Sequence, residues 1–189
     1  MSFSPAFLAS VIVKPLRYLF GTYAPVDLKW DVDEKKSQLE IDTINNFNKI
    51  AIQSKPRILV SRGGFSITPT GLTDNLSSGS SSRDTGPSIE TKFLMASGTA
   101  QVLIEAVNEG TCEKIVGLTG DFLTWSAPFI CNTQRFKQFA LPLTVSPCTP
   151  SQETVELFNC TISVPWRKEI RFQTSEDGVA FNKFLLTLN

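Results

Sequence analysis

The sequence contains no histidine. That absence removes the commonest general base and the commonest metal-ligating side chain together. A histidine-activated serine goes with it, and neither a G-x-S-x-G elbow nor an S-x-x-K site stands out. Cysteine is sparse: Cys112, Cys131, Cys148 and Cys160 include no C-x-x-C pair, so a zinc cage has little support. Neither sign of charge is in excess, with 18 basic and 18 acidic residues, which argues against a broad basic surface for nucleic acid. No G-x-x-x-x-G-K-[ST] phosphate loop occurs. Asp31 and Asp33 could open a calcium loop, but Lys36 and Asp42 stand where that loop needs Gly and Glu. No long apolar run is present either. Ala6–Val13 is far shorter than the roughly 20 residues that cross a bilayer. It also has no preceding cation and no small-residue cleavage site, so it does not read as a signal peptide. The expectation is a soluble protein of a reducing compartment, with buried free thiols and no membrane, metal or cofactor.

Two weaker chemistries remain. Cys112 near a helix N-terminus could have a lowered pKa, although it has no histidine partner and a core thiol is the preferred reading. Glu105, Glu109, Glu113 and Asp121 are close in sequence, but nothing pairs them at a shared cleft. Asn75-Leu76-Ser77 and Asn159-Cys160-Thr161 match a glycosylation acceptor, and chance explains both better. The chain reads as a non-enzyme.

What the sequence does contain is apolar material, 41% of residues and fourteen phenylalanines, enough for one core over 1–189. Ser4-Pro5 is a good helix opening, and the helix or arm within 1–20 is expected to run to about Val13 or Lys14, where Pro15 ends or kinks it. Its apolar surround (Phe7, Leu8, Val11, Ile12) must be covered, by its own sheet or by a neighbouring subunit. Pro25–Asp33 reads as extended, and Gln38–Thr43 alternates as a half-buried strand. Arg57–Val60 and Phe65–Thr68 read as strand interrupted by a Gly63-Gly64 bulge or bend. Residues 69–90 form a Ser/Gly-rich loop or hairpin tip, either plain linker or ordered by a partner.

Thr91–Ile130 organises the chain. It reads as two strands around a Ser97-Gly98 turn, then a helix over about 111–127 capped by Thr111 and ended by Pro128. Ile115, Leu118, Phe122 and Trp125 recur at helical spacing as its buried face, and Gly117 and Gly120 suggest close packing on the sheet. Thr154–Trp166 alternates strictly, with Phe158, Cys160, Ile162, Val164 and Trp166 facing one way; Arg167–Gln173 looks like a further strand, and Phe181–Leu188 like a terminal helix or strand. The fold class is α+β: a mostly antiparallel sheet packed by an amphipathic helix and an N-terminal helix, with a long polar loop.

This order of elements resembles the tail-terminator (tail-completion) and related neck proteins of long-tailed bacteriophages. GTAQVLIEAVNEGTCEKIVGLTGDFLTW carries most of the likeness, RFKQFALPLTVSPCTPSQETVELFNCTISVPW extends it, and PRILVSRGGFSI matches more weakly. The resemblance implies a virion protein, assembled in the host cytoplasm, that forms a homo-hexameric ring. It would stop growth of the tail tube and join tail to head, with tail-tube and head-completion or connector proteins as partners. DNA would pass through its lumen without sequence-specific binding. A stopper position in the neck is the alternative within that class; an adaptor binding a partner through its polar loop is the alternative outside it. Candidate subunit or partner contacts are Phe7, Val11, Arg62, Arg83, Asp84, Trp166, Arg167 and Lys168.

Overall fold

Alternation along Phe158–Trp166 dictates a strand with one dry face, and the apolar run Val102–Ala106 supplies a partner that can share it. A computed structural model, which describes residues 5–44, 55–69, 89–151 and 157–175, places these two segments side by side. Strand β3 (Ile89–Ala106) and strand β7 (Phe158–Ser175) pair antiparallel along their whole 18-residue lengths, about 60 Å of ladder at strand rise.

The remaining strands flank that pair: β1 (Glu40–Thr43), β2 (Arg57–Pro69), β4 (Phe136–Phe139), β5 (Thr144–Val145) and β6 (Thr149–Pro150). The sheet order is β1-β2-β3-β7-β4, with β5 and β6 also pairing along β7. All pairings are antiparallel except β1 with β2. Helices α1 (Pro5–Thr22) and α2 (Glu109–Gln134) pack on one face. There Ile58, Val60, Val102, Ile104, Ile162 and Val164 meet Ile12, Leu16, Phe20, Ile115 and Leu123 in one apolar cluster. The molecule is an α+β protein with a largely antiparallel sheet.

Several expectations need correcting. Pro15 does not end α1, which runs on to Thr22. A mid-helix proline costs about 3 kcal/mol, and beyond it Leu16 and Phe20, both at 0% exposure, anchor the final turns to the sheet. Likewise Pro128 lies inside α2. Thr111 is not its cap; Asn108 is, its side-chain oxygen accepting from Thr111 N at 2.7 Å. Pro25–Asp33 is a short 3-10 turn (Val26–Leu28) and loop, not a strand. Arg167–Gln173 continues β7 without a break. The 69–90 loop is shortened by Pro69 of β2 and by Ile89 and Glu90 of β3; its remainder, Ser4, Thr154 and Phe181–Leu188 lie outside the described residues.

Ser97-Gly98 is not a turn. Gly98 sits mid-strand against β2, where an added Cβ would lie 2.5 Å from the Gly64 carbonyl oxygen. The glycine is there for close approach of two backbones. Opposite it, β2 carries the expected bulge: Arg62 pairs with Ala100 but Phe65 with Gly98, so two residues face Thr99 alone. The extra residue inverts the side-chain alternation. Ile58 and Val60 point to the helices before the bulge, and Phe65, in ring contact with Trp166, does so after it.

The phase of α2 also differs from expectation. Its buried line is Cys112, Ile115, Thr119, Leu123, Ser126, Ala127 and Ile130. Leu118 and Phe122 are half-buried, and Trp125 is 79% exposed. Among the described residues, a Cβ at Gly117 or Gly120 would meet nothing within 4 Å beyond its own stretch of helix. Gly117→Ala and Gly120→Ala are therefore each expected to stabilise the chain by about 1 kcal/mol through helix propensity and reduced freedom of the unfolded chain. Urea denaturation of the single and double variants checks this; a loss of stability would mean that the helix needs the glycines.

Candidate interaction surface

Among the candidate contacts, Phe7, Trp166 and Lys168 converge on one seam. Phe136 opens β4 directly after α2, which ends on the left-handed Arg135 at φ 55°. Its ring lies edge-on to Trp166 at 6.3 Å and 5.5 Å from Phe139. Phe65 reaches the other side of Trp166, centroid to centroid 6.4 Å. Lys168 Nζ is 4.9 Å from the Phe7 ring and 5.0 Å from the Phe136 ring, and it donates to the Gln134 carbonyl at 2.9 Å. Burial, followed by the nearby Arg135, pushes its pKa below the ordinary lysine value. Lys168 thus ties the start of α1, the end of α2 and β4 to β7. Val11 is half-buried on the core.

Arg167 faces outward. With Trp166 it lines a shallow depression of about 570 Å³ floored by Gly98 and walled by Gly64, Phe65, Ser66, Ser97, Thr99, Gln138 and Pro165. Arg62 is exposed at the bulge. Arg83 and Asp84 lie outside the described residues.

Sequence reasoning missed a second exposed surface, on α2. Trp125 and Phe129, 79% and 70% exposed, stand with Phe122, whose ring is 6.4 Å from that of Trp125. The available signal was the uncharged run Phe122–Thr133, which a helix buried on one face alone would have broken with charge.

The remaining polar features are internally engaged. A depression of about 440 Å³ beside α1 is lined by Lys14, Arg17, Tyr18 and Trp30. Arg17 there donates to the Ile41 carbonyl at 3.0 and 2.8 Å, stands 3.7 Å from the Asp42 carboxylate and covers the Trp30 ring at 5.3 Å. On the opposite sheet face Glu40, Arg57 and Glu105 form a cross-strand row, and the buried Arg57 guanidinium donates to the buried Glu105 carboxylate. Burial raises the pKa of Glu40, with Arg57 opposing and Asp42 adding. A carboxyl whose folded pKa is raised contributes stability below its unfolded pKa and loses it as pH rises through the folded value. Glu40→Gln is thus expected to exceed the parent in stability at pH 7, the difference vanishing below about pH 4; urea titrations across that range check the sign.

The thiols are free. Burial, with hydrogen bonding to Cys148, pushes the Cys112 thiol well up, and burial raises Cys160 and Cys131 too. This is the reverse of an activated nucleophile. No group of three or more possible metal ligands occurs among the described residues, and none of their helices is long and apolar enough to cross a membrane.

No protein-family model matches the chain, and no curated protein does either.

Proposed function

We propose that this chain is a structural subunit of the neck of a long-tailed bacteriophage, forming a ring that terminates the tail tube and joins tail to head. The observation that carries the reading is the α+β fold itself. The strand Ile89–Ala106, helix Glu109–Gln134 and long antiparallel strand Phe158–Ser175 follow one another as in that family's pattern, and the helix packs on the strand pair. A ring subunit also needs two unlike surfaces that meet head to tail. The aromatic face of α2 and the depression beside Trp166 are unlike one another in position and composition. In this reading the chain performs no catalysis and takes no cofactor; its work is geometric.

Size exclusion with light scattering tests it, on the chain alone and with tail tubes. A stable ring, or a monomer that becomes a ring at the tube end, supports the proposal. A strict monomer indifferent to tubes overturns it in favour of an adaptor. A ring that binds connector but leaves tube length unregulated moves the chain to the stopper position.

A further inference from the structure

Three of the four thiols meet near the Ala106–Phe158 end of the central ladder. Cys112 lies in the first turns of α2, Cys160 on β7, and Cys148 in the short link between β5 and β6. Register brings the last two together: Thr149 pairs with Asn159, so the adjoining Cys148 falls level with Cys160. Ser146 fastens the link there. Its amide donates to the Thr161 carbonyl at 2.9 Å, its hydroxyl accepts from Thr161 N at 2.8 Å and its carbonyl accepts from Cys160 Sγ at 2.9 Å. On the other side of β7, Ile104 is the β3 partner of Cys160. Cys112 Sγ lies 3.9 Å from the Ile104 carbonyl oxygen, so α2 brings its thiol to the same rung. There Cys112 and Cys148 are hydrogen-bonded thiol to thiol.

We propose that Cys148 and Cys112 form a thiol–disulfide exchange site whose co-substrate is a low-molecular-weight disulfide, and whose product is a bond from α2 to the β5–β6 link. Access assigns the roles. Cys112 and Cys160 are 0% and 2% exposed, whereas Cys148 is half-buried and open to an incoming reagent. The Cys148 thiolate attacks one sulfur of the external disulfide and breaks its S–S bond. A mixed disulfide forms, and one small thiolate leaves, taking up the proton that Cys148 released. Cys112 then gives up its proton and attacks the Cys148 sulfur, breaking the mixed disulfide and releasing the second small thiol. Two protein thiols are oxidised and one external disulfide is reduced to two thiols, with no further reagent.

Cys112 takes the second step because the Cys160 sulfur is already held by the Ser146 carbonyl, whereas Cys112 has a long contact to Ile104 and the thiol of Cys148. Burial keeps Cys112 protonated near neutral pH, so closure is slow there and accelerates as pH rises. The new bond would tie together elements that lie far apart in the sequence, which restricts the unfolded chain and strengthens the folded one.

The test is incubation of the full chain with oxidised glutathione at about pH 7 and about pH 9, followed by alkylation and peptide mapping. The expected product has lost two alkylatable thiols and contains a Cys112–Cys148 peptide, formed about tenfold or more faster at the higher pH. Its urea midpoint exceeds that of the reduced chain, and Cys112→Ser stops at a mixed disulfide on Cys148. Phenylarsine oxide, which bridges neighbouring thiols, probes the unaltered reduced chain and is expected to shield the same two from alkylation. A Cys148–Cys160 bridge overturns the pairing. Glutathione left on Cys148 of the parent chain, or a bridge that forms only in urea, overturns the exchange site, as does failure of the arsenical to shield Cys112 and Cys148.

Discussion

Replacing Glu105 with alanine is expected to destabilise the chain by about 3–5 kcal/mol, because it removes a carboxylate paired with the buried Arg57 guanidinium. Arg57 and Glu105 are 7% and 9% exposed and are direct cross-strand partners on β2 and β3. Glu40 on the adjacent strand is also under the influence of Arg57 and takes up part of the lost attraction, which places the expectation at the lower end of the range. Removing both charges should cost far less than removing one. Arg57→Met with Glu105→Leu is expected to be near neutral, since the attraction of a buried pair and its desolvation largely offset each other. Urea denaturation of the two single variants and the double variant decides. If Glu105→Ala loses under about 1 kcal/mol, the pair is wetter than its burial implies.

Gly98→Ala carries the second large expectation, a loss of about 2–3 kcal/mol through overpacking. The new methyl would sit 2.5 Å from the Gly64 carbonyl oxygen and 2.9 Å from the Phe65 Cβ. One of those is backbone and the other the root of a side chain, so neither can rotate aside as a flexible side-chain end could. Relief requires β2 and β3 to separate at the bulge. Exchange should therefore rise over Ser61–Pro69 while Arg57–Val60, held between β1 and β3, stays protected. Gly63→Ala tests the same contact from the other strand, with a Cβ 2.4 Å from the Thr99 carbonyl. If Gly98→Ala exchanges as the parent does, the strands are less closely apposed than described.

These glycines mark where the fold was legible in the sequence and where it was not. A glycine interrupting a strand pattern signals either a turn or a close approach, and only the partner strand decides. Gly63-Gly64 was readable as a bulge because strand character resumed at Phe65; Ser97-Gly98 was misread because serine beside glycine is turn chemistry, and the carbonyl that demands the glycine comes from β2. The even face of β7 was plain from alternation and is buried from Cys160 to Trp166. Helix limits failed for one reason in both helices: Pro15 and Pro128 are local breakers, and burial of Leu16, Phe20 and Ile130 beyond them outweighs the local cost. The phase of α2 was lost because its buried line includes Thr119 and Ser126, small polar residues that a hydrophobic template passes over in favour of Trp125. Of the proposed contacts, the tryptophan and cations after Pro165 were identifiable as a cluster. Phe65, Phe136 and Gln138, which complete their surroundings, arrive from two other strands, and no sequence spacing signals that.

The central strand pair has a consequence for how the molecule comes into being. Ala106 lies opposite Phe158 and Ile89 opposite Ser175, with α2 and three short strands threaded between the partners. Every rung of this ladder therefore closes a long loop, and the rungs farthest from α2 close the longest. Such topology gives slow folding, since the chain entropy is lost before the contacts that reward it are made. The helix can form early from its own residues; β3 meanwhile has no β7 until that strand is made. During synthesis the hydrogen-bonding edge of β3 waits unmatched, and the distal ribbon is the last part to zip. A chain leaving the ribosome thus completes the Ala106–Phe158 end of the ladder before the Ile89–Ser175 end.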